Sequence, residues 1–295
     1  MTILQSAMTD IDVQHCRLVY RDEVQQVYIE QLKTVISHHK LWLTITTERI
    51  TDKLTQKRLQ QLSTDSEQVI LFLDSKNRLS WLSDGMTVTP EWDKLQQRVV
   101  RAGRKSELLL QAAKLTADSY VIDATAGFGH DSLVLASTGA HVTMLEQQPL
   151  MALLLLAEQQ RMSVQPNWQK LMSRLHIINT DALSYFATIQ PLKAGTDNIS
   201  VVYLDPMFPE DSYQDSSSGK GAKVGKHMQA LHQLARPPTL LEEQQLLTSA
   251  QKIVNRNSHQ GRVIVKRPQQ APLFAHKHPD ETWQNSALRF DGYLL

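Results

Sequence analysis

From about residue 96 onward, short β-rich runs alternate with segments of helical length, and this alternation restricts the chain to a doubly wound α/β sheet with helices on both faces. Strands are expected at residues 120–123, 141–145, 175–179, 199–204 and 262–266, and helices at 106–115, 131–137, 149–161 and 240–254, with Pro149 suited to a first turn. Residues 287–290 and 293–295 add edge strands. In open sheets of this kind ligands bind outside the carboxyl ends of the strands, so chemistry is to be sought where strands end.

The first such end is Val121-Ile122-Asp123-Ala124-Thr125-Ala126-Gly127-Phe128-Gly129. Gly127 and Gly129 let the backbone turn sharply and approach a ligand without a Cβ in the way, and the helix that follows offers free N–H groups. The third glycine of the dinucleotide fingerprint is missing, because Ser132 stands in its place. Glu146, directly after the second strand, is positioned to accept both hydroxyls of a ribose, a device common to nicotinamide and S-adenosylmethionine enzymes. Asp181, after the third strand, is positioned to meet an adenine edge. Two acids have structural readings beside the ligand reading: Asp123 can hold the turn through backbone hydrogen bonds, and Asp131 can sit in the first helical turn because the dipole favours it.

The second end is more distinctive. The apolar run Val201-Val202-Tyr203-Leu204 stops at Asp205-Pro206-Met207-Phe208-Pro209, which places an acid, a rigid turn and an aromatic ring at the edge of a buried strand. An exocyclic amine on a nucleobase is a poor nucleophile, because its lone pair is delocalised into the ring. A transferase must therefore hold that nitrogen in line with its electrophile and favour pyramidalisation. Asp205 and the Pro206 carbonyl can accept the two amine hydrogens, and Phe208 can stack on the base. The residues themselves specify a planar amine and no more.

Composition narrows the rest. The 295 residues are 41% apolar, enough for a globular core, and a formal charge of +1 argues against a generally basic nucleic-acid coat. Local clusters remain: Arg98, Arg101, Arg104 and Lys105 before the glycine turn; Lys220, Lys223 and Lys226 after the Asp-Pro segment; and Lys266 and Arg267 at the end of the last parallel strand. Lys220, Lys223, Lys226, Lys266 and Arg267 are the candidate RNA contacts, the first three on a positive lid that follows the serine-rich stretch 215–219. The single cysteine, Cys16, excludes an internal disulfide or a cysteine zinc cage, and no metal is expected. The longest apolar stretch, residues 150–157, is far short of a membrane span, and the first residues lack a basic region followed by an apolar one, so a cytoplasmic protein with no membrane partner is expected. Residues 1–95 read as a small α+β domain, with strand patterns at 41–47, 69–73 and 79–82 and a hairpin turn at Asp74-Ser75-Lys76-Asn77. Residues 96–295 form the second domain.

At the glycine turn, at Met144-Leu145-Glu146, at Tyr203 to Pro209, at Val263-Ile264-Val265-Lys266-Arg267-Pro268 and at Arg289-Phe290-Asp291, the sequence resembles the ribosomal RNA small subunit methyltransferase J family. The resemblance implies a Rossmann-like S-adenosylmethionine-dependent methyltransferase sheet, with N2 of a guanine in 16S rRNA as target and 16S rRNA or the small ribosomal subunit as partner. It implies S-adenosylmethionine contacts at His130 and Asp131, Glu146 and Gln147, Asp181 and Ala182, and Asp205, joining Asp123, Gly127 and Gly129 from the turn. Asp205, Pro206 and Phe208 are the catalytic candidates. Two other readings stand beside this one: a nicotinamide-dependent oxidoreductase using the same turn and Glu146, and a non-catalytic RNA-binding protein on a methyltransferase scaffold.

Overall fold

The computed structural model describes residues 13–51, 54–64, 68–189, 199–208, 234–254 and 261–295. Two units emerge, one ending at Thr89 and one beginning at Pro90. In the first, β1 (Gln14–Tyr20), β2 (Leu43–Arg49), β3 (Val69–Leu73), β4 (Leu79–Ser83) and β5 (Met86–Val88) form a sheet in the order β2-β1-β3-β4-β5, with helices α1 (Gln26–His38) and α2 (Gln56–Thr64). The hairpin joining β3 to β4 turns where expected. Asp74 Oδ1 accepts the N–H groups of Lys76 and Arg78 at 2.8 and 2.9 Å, and Asn77 takes a left-handed φ of 55°. Val19, Ile50, Leu62, Ile70 and Leu82 form a buried cluster, and Cys16 is buried too, which pushes its thiol up to about 12.

The second unit carries a sheet in the order β11-β12-β10-β9-β6-β7-β8, from β6 (Tyr120–Asp123), β7 (His141–Glu146), β8 (Leu175–Asn179), β9 (Ile199–Leu204), β10 (Arg262–Pro268), β11 (Glu281–Gln284) and β12 (Leu288–Leu294). The strands β6 to β10 pair in parallel, and β12 runs antiparallel to both β10 and β11. The two short edge strands expected at the end are one strand, continuous through Gly292, which pairs with Ile264 and Glu281. A Cβ on Gly292 would lie 2.8 Å from the Trp283 ring. The β11 partner was not anticipated, because Glu281-Thr282-Trp283-Gln284 is too short and polar to read as a strand alone.

Helices follow the strands: α3 (Gln96–Arg101) and α4 (Leu108–Ala113) before β6, α5 (His130–Ser137) after it, then α6 (Pro149–Ser163), α7 (Gln169–Met172), α8 (Ala182–Thr188) and α9 (Leu240–Ile253). Pro149 opens α6, and the residues Leu150 through Glu158 are buried on every side, so the long apolar run is a core helix. Among the described residues no helix is long and apolar enough to cross a membrane. Thr239 caps α9 with a capping box, its side chain accepting from Glu242 N–H while Glu242 reaches back to the Thr239 N–H at 2.7 Å. The order reverses at β6: β7 lies on one side and β9 on the other, so the ends of β6 and β9 flank the crevice where such sheets bind ligands.

Candidate active site

The glycine turn after β6 and the acid corner after β9 line one cavity of about 770 Å³, together with Glu146 from β7, Asp181 and Ala182 from α8, and Lys266 from β10. The two strand ends are tied directly. Asp205 N–H donates to Thr125 Oγ1 at 2.6 Å, and Ala124 N–H donates to the Tyr203 carbonyl at 2.9 Å. Parallel pairing of β6 with β9 makes this registry possible, since it sets Asp123 beside Tyr203 and thus both turns at the same sheet edge.

On the glycine side the carboxylates are held by neutral donors. Glu146 is buried at the end of β7 and accepts the N–H groups of Gly127 at 3.1 Å and Gln148 at 2.8 Å. Burial raises it to about 7 against those hydrogen bonds. Asp123 is also raised to about 7 by burial, although the Ser132 hydroxyl and the Thr125 N–H donate to it. Its geometry is that of a turn-holding acid, and it still lines the cavity. Gly127, with φ 51°, faces open space: the nearest atom to an added Cβ is the Thr125 carbonyl oxygen at 4.0 Å. Gly129 does something else. A Cβ there would lie 2.6 Å from Met144 Cε and 3.0 Å from the Trp92 ring, so this glycine serves packing of the turn, and it is not among the residues lining the cavity. Trp92 locks the same turn by donating its indole N–H to the Phe128 carbonyl at 2.7 Å.

On the acid side the carboxylates are held by cations. The Lys266 ammonium lies 2.8 Å from both Asp131 Oδ2 and Asp205 Oδ2, and Tyr203, fully buried, donates its hydroxyl to Asp131 at 2.7 Å. Arg98 adds a longer pair to Asp131 at 3.5 Å. Burial alone would raise Asp131, yet Lys266, the Tyr203 hydroxyl and Arg98 bring it down to about 2. Asp205 moves the other way, raised by burial and by the charge of Asp131 against the pull of Lys266. One ammonium is thus shared unequally: Asp131 has further donors, while Lys266 is the cation that Asp205 draws on. Burial lowers Lys266 itself, and the two carboxylates more than offset this and raise it.

Several expected roles change. Lys266 is not an open surface cation, because its charge is committed to the two acids inside the cavity. Arg267 is buried, donating to Glu243 at 3.0 Å and to the Pro272 carbonyl at 3.1 Å, so it is unavailable to an RNA phosphate. Its guanidinium lies 4.8 Å over the Phe208 ring, and Phe208 is only 4% exposed, so that ring is packed against a cation where an open stacking platform was expected. His130 lines the cavity, but its Nε2 pairs with the Pro90 carbonyl at 2.7 Å, its ring stacks on Phe128, and burial lowers its pKa. Asp181 caps α8, accepting the Ser184 N–H at 2.9 Å, and with Ala182, Gln147 and Pro206 it lines the cavity. Lys220, Lys223, Lys226 and Pro209 lie outside the described residues.

Tyr203, Thr125, Arg98 and Arg236 join the lining without having been singled out as site residues. For Tyr203 a signal existed: a phenol within an otherwise aliphatic strand needs a buried partner for its hydroxyl. Arg236 pairs with Glu242 in the first turn of α9, six residues further along the chain. Among the described residues no group of three or more His, Cys, Asp or Glu side chains is arranged to hold a metal ion.

This cavity fits a sulfonium nucleoside: an uncluttered glycine for close backbone approach, a buried carboxylate for a ribose diol and an acid beyond it for the ammonium of the amino-acid tail. The chain matches, over residues 46–295, the family described as "Putative SAM-dependent methyltransferase". It is 69% identical over 283 residues to the ribosomal RNA small subunit methyltransferase J of Psychrobacter arcticus, covering 95% of this chain and 96% of that protein. The protein of the same name from Psychrobacter cryohalolentis is 67% identical with full coverage of both chains, and that from Acinetobacter baylyi is 39% identical, covering 72% of this chain and 77% of its own. Among solved structures, an S-adenosylmethionine-dependent methyltransferase from Neisseria gonorrhoeae superposes with a TM-score of 0.63 at 25% identity, covering 94% of this chain and 95% of that one. The nicotinamide reading of the glycine turn falls with these findings. A Rossmann-like sheet, a cavity at its switch point and identity along the whole chain lead to one assignment: the chain belongs to the ribosomal RNA small subunit methyltransferase J family of S-adenosylmethionine-dependent methyltransferases.

Proposed function

We propose that this chain methylates the exocyclic N2 of a guanine in small-subunit 16S rRNA, in the cytoplasm, and that Asp205 is the residue facing the reacting amine. The observation that carries the reading is the shared cavity, in which the glycine turn and the Asp205 corner stand at one sheet edge. The names of the relatives support the substrate class.

S-adenosylmethionine supplies, when bound, an activated methyl and its leaving group. The residues do the rest. Of the cavity-lining residues, Glu146 would receive the ribose diol, Gly127 would let the backbone come close, Asp181, Ala182 and Gln147 would hold the adenine, and Asp131 would face the amino-acid tail. Asp205 and the Pro206 carbonyl accept the amine hydrogens of the guanine, which turns the nitrogen lone pair out of conjugation and toward the methyl. Lys266 keeps Asp205 fixed by its pair at 2.8 Å. As the nitrogen–carbon bond forms, an amine proton is lost, and Asp205 stands where it leaves. Phe208, backed by Arg267, gives the base site a rigid wall. A base taken from a stacked strand costs a few kcal/mol to swing out, and contacts to the flanking strand must offset that cost.

Mapping of methylated nucleotides in rRNA from cells with and without the protein tests the substrate: one guanine should lose its N2 methyl, and an unaltered pattern would refute the rRNA assignment. For the mechanism, purified Asp205→Ala should keep its fold and lose at least about 100-fold in turnover, within the range typical of a group acting on a transferred proton. Unchanged turnover removes Asp205 from the chemistry.

A further inference from the structure

Between α3 and α4 the chain makes a turn whose cations are treated differently from the other basic residues around the cavity. Arg98, Lys266, Arg267 and Arg236 all have carboxylate partners. Arg101, Arg104 and Lys105 are exposed, and among the described residues no ion pair is formed by any of them. Arg104 donates to the Leu115 carbonyl at 2.9 Å, which orients its guanidinium and leaves its charge uncompensated. The acid within the turn, Glu107, is turned inward, where it grips Arg98 Nε at 2.9 Å and Nη2 at 3.0 Å.

The turn is also rigid. Ser106 and Glu107 both donate their N–H groups to the Gly103 carbonyl, at 3.0 and 2.9 Å, while Ser106 Oγ accepts the Gly103 N–H and lies 3.0 Å from the Arg101 carbonyl as a donor. Its coupling to the reaction end is short. Glu107 holds Arg98, Arg98 reaches Asp131, and Asp131 shares Lys266 with Asp205. Three like charges at the end of α3 and on the turn after it repel each other and, among the described residues, meet no carboxylate, so the arrangement is favourable when a polyanion lies against it. A stiff turn connected to the reacting acids would also convert a grip on the backbone into a fixed position for the base.

We propose that Arg101, Arg104 and Lys105 form a phosphate grip for the RNA strand next to the target guanine, registering that strand on the cavity. The proposal rests on the rRNA reading for the identity of the polyanion. It assigns to this turn the contacts that Lys266 and Arg267, committed inside the protein, do not make.

The test is binding of a fluorescently labelled single-stranded RNA oligonucleotide to the full chain, by anisotropy across a salt series, with wild type and the double variant Arg101→Gln/Lys105→Gln. Loss of two phosphate contacts should raise Kd on the order of 10-fold near 0.1 M salt and reduce the slope of log K against log salt by about 1.4. Calorimetric S-adenosylmethionine affinity should be unaltered. The charge-keeping swap Arg101→Lys/Lys105→Arg should retain wild-type RNA affinity, and so should Lys170→Gln on α7, an exposed cation outside the cavity lining. Equal affinity and equal slope in the double variant and the wild type would overturn the grip. So would a defect seen with assembled small subunits and absent with naked RNA, since the turn would then be touching ribosomal protein. The two readings fail separately: a wild type that transfers no methyl to rRNA yet shows the salt-dependent loss sinks the methylation reading and keeps the grip, and the converse sinks the grip alone.

Discussion

The two ends of the cavity hold the same kind of side chain in opposite ways. At the glycine end, Glu146 and Asp123 are buried among hydroxyl and backbone N–H donors, and burial raises both to about 7. At the acid end, Asp131 shares the Lys266 ammonium with Asp205, accepts a phenol and sits near Arg98, and it falls to about 2. Neutral donors soften desolvation without cancelling it; at Asp131 the Lys266 ammonium, the Tyr203 hydroxyl and Arg98 together overcome it, whereas Asp205, on the same ammonium but beside the charge of Asp131, stays raised. The difference suits the two tasks. A carboxyl near neutrality at the ribose end can wait uncharged in an empty site, and the reacting end needs its acids fixed in place before a base arrives.

The contrast breaks most visibly if the cation is removed. Lys266→Met leaves Asp131 and Asp205 facing each other without their shared charge, and activity should fall by about 100-fold or more, because the fixed geometry of Asp205 is lost. Stability should fall by about 1–3 kcal/mol, below the full cost of breaking a buried pair because a quarter of the Lys266 side chain remains exposed at 25%. The pH behaviour follows from the signs. Asp131, lowered in the fold, contributes stability above about pH 4 that is lost as pH falls toward about 2; Lys266, raised in the fold, contributes stability that is present at neutral pH and fades only above its unfolded value of about 10. Chemical denaturation at pH 3, 7 and 9 should therefore show the Lys266→Met deficit at the upper two and a smaller one at pH 3. A uniform deficit would contradict the electrostatic account. The acid limb of the variant's activity should also move to higher pH, since Asp205 would hold a proton more firmly.

A smaller effect separates the two glycines. Gly129→Ala strains a φ of 72° and pushes a methyl group onto Met144 and Trp92, costing about 2–3 kcal/mol by thermal or chemical unfolding. Gly127→Ala meets open space and costs about 1 kcal/mol from its φ alone, while weakening S-adenosylmethionine binding, because the methyl group projects where the cofactor backbone approach is needed. Equal stability losses would show that the turn does not discriminate between them.

The smallest effect sharpens the neutral end. Glu146 must be ionised to accept a diol, and with a value of about 7 it pays for a proton release below that pH, so calorimetric S-adenosylmethionine affinity should rise about 10-fold from pH 6 to pH 8. Glu146→Gln should abolish that rise. The same raised value makes the neutral form the favoured one in the fold, so the stabilisation it carries is present below about pH 4 and lost as pH climbs through 7; the Gln variant gains on the wild type across that interval.

Much of this architecture was legible in local pattern. Residues 120–123, 175–179 and 199–204 are the strands β6, β8 and β9 as the apolar runs indicated, and Pro149 opens α6. The small unit was read less fully. Its interior strand β1, Gln14-His15-Cys16-Arg17-Leu18-Val19-Tyr20, mixes polar and apolar residues without a clear period, and parallel pairing on both sides supplies the order that periodicity lacks. In the site, the acids at the strand ends were readable because a strand followed by Gly or Pro announces its own terminus. The fate of the cations was not. Lys266 and Arg267 are adjacent in sequence, and strand alternation sends one toward Asp131 and Asp205 and the other toward Glu243, Pro272 and Phe208.

Sequence alone determined which segments are strands, that their ends carry an acid corner and a glycine turn, and the family to which such a combination points, because period, turn residues and motif are properties of neighbours along the chain. Only the tertiary structure decided which glycine faces the cavity, which carboxylates are neutralised by hydrogen bonds and which by Lys266, and which cations are left outside on the α3–α4 turn. Those outcomes depend on charges brought within about 3 Å from segments many residues apart, and an electrostatic interaction of that kind has no signature until the chain has folded.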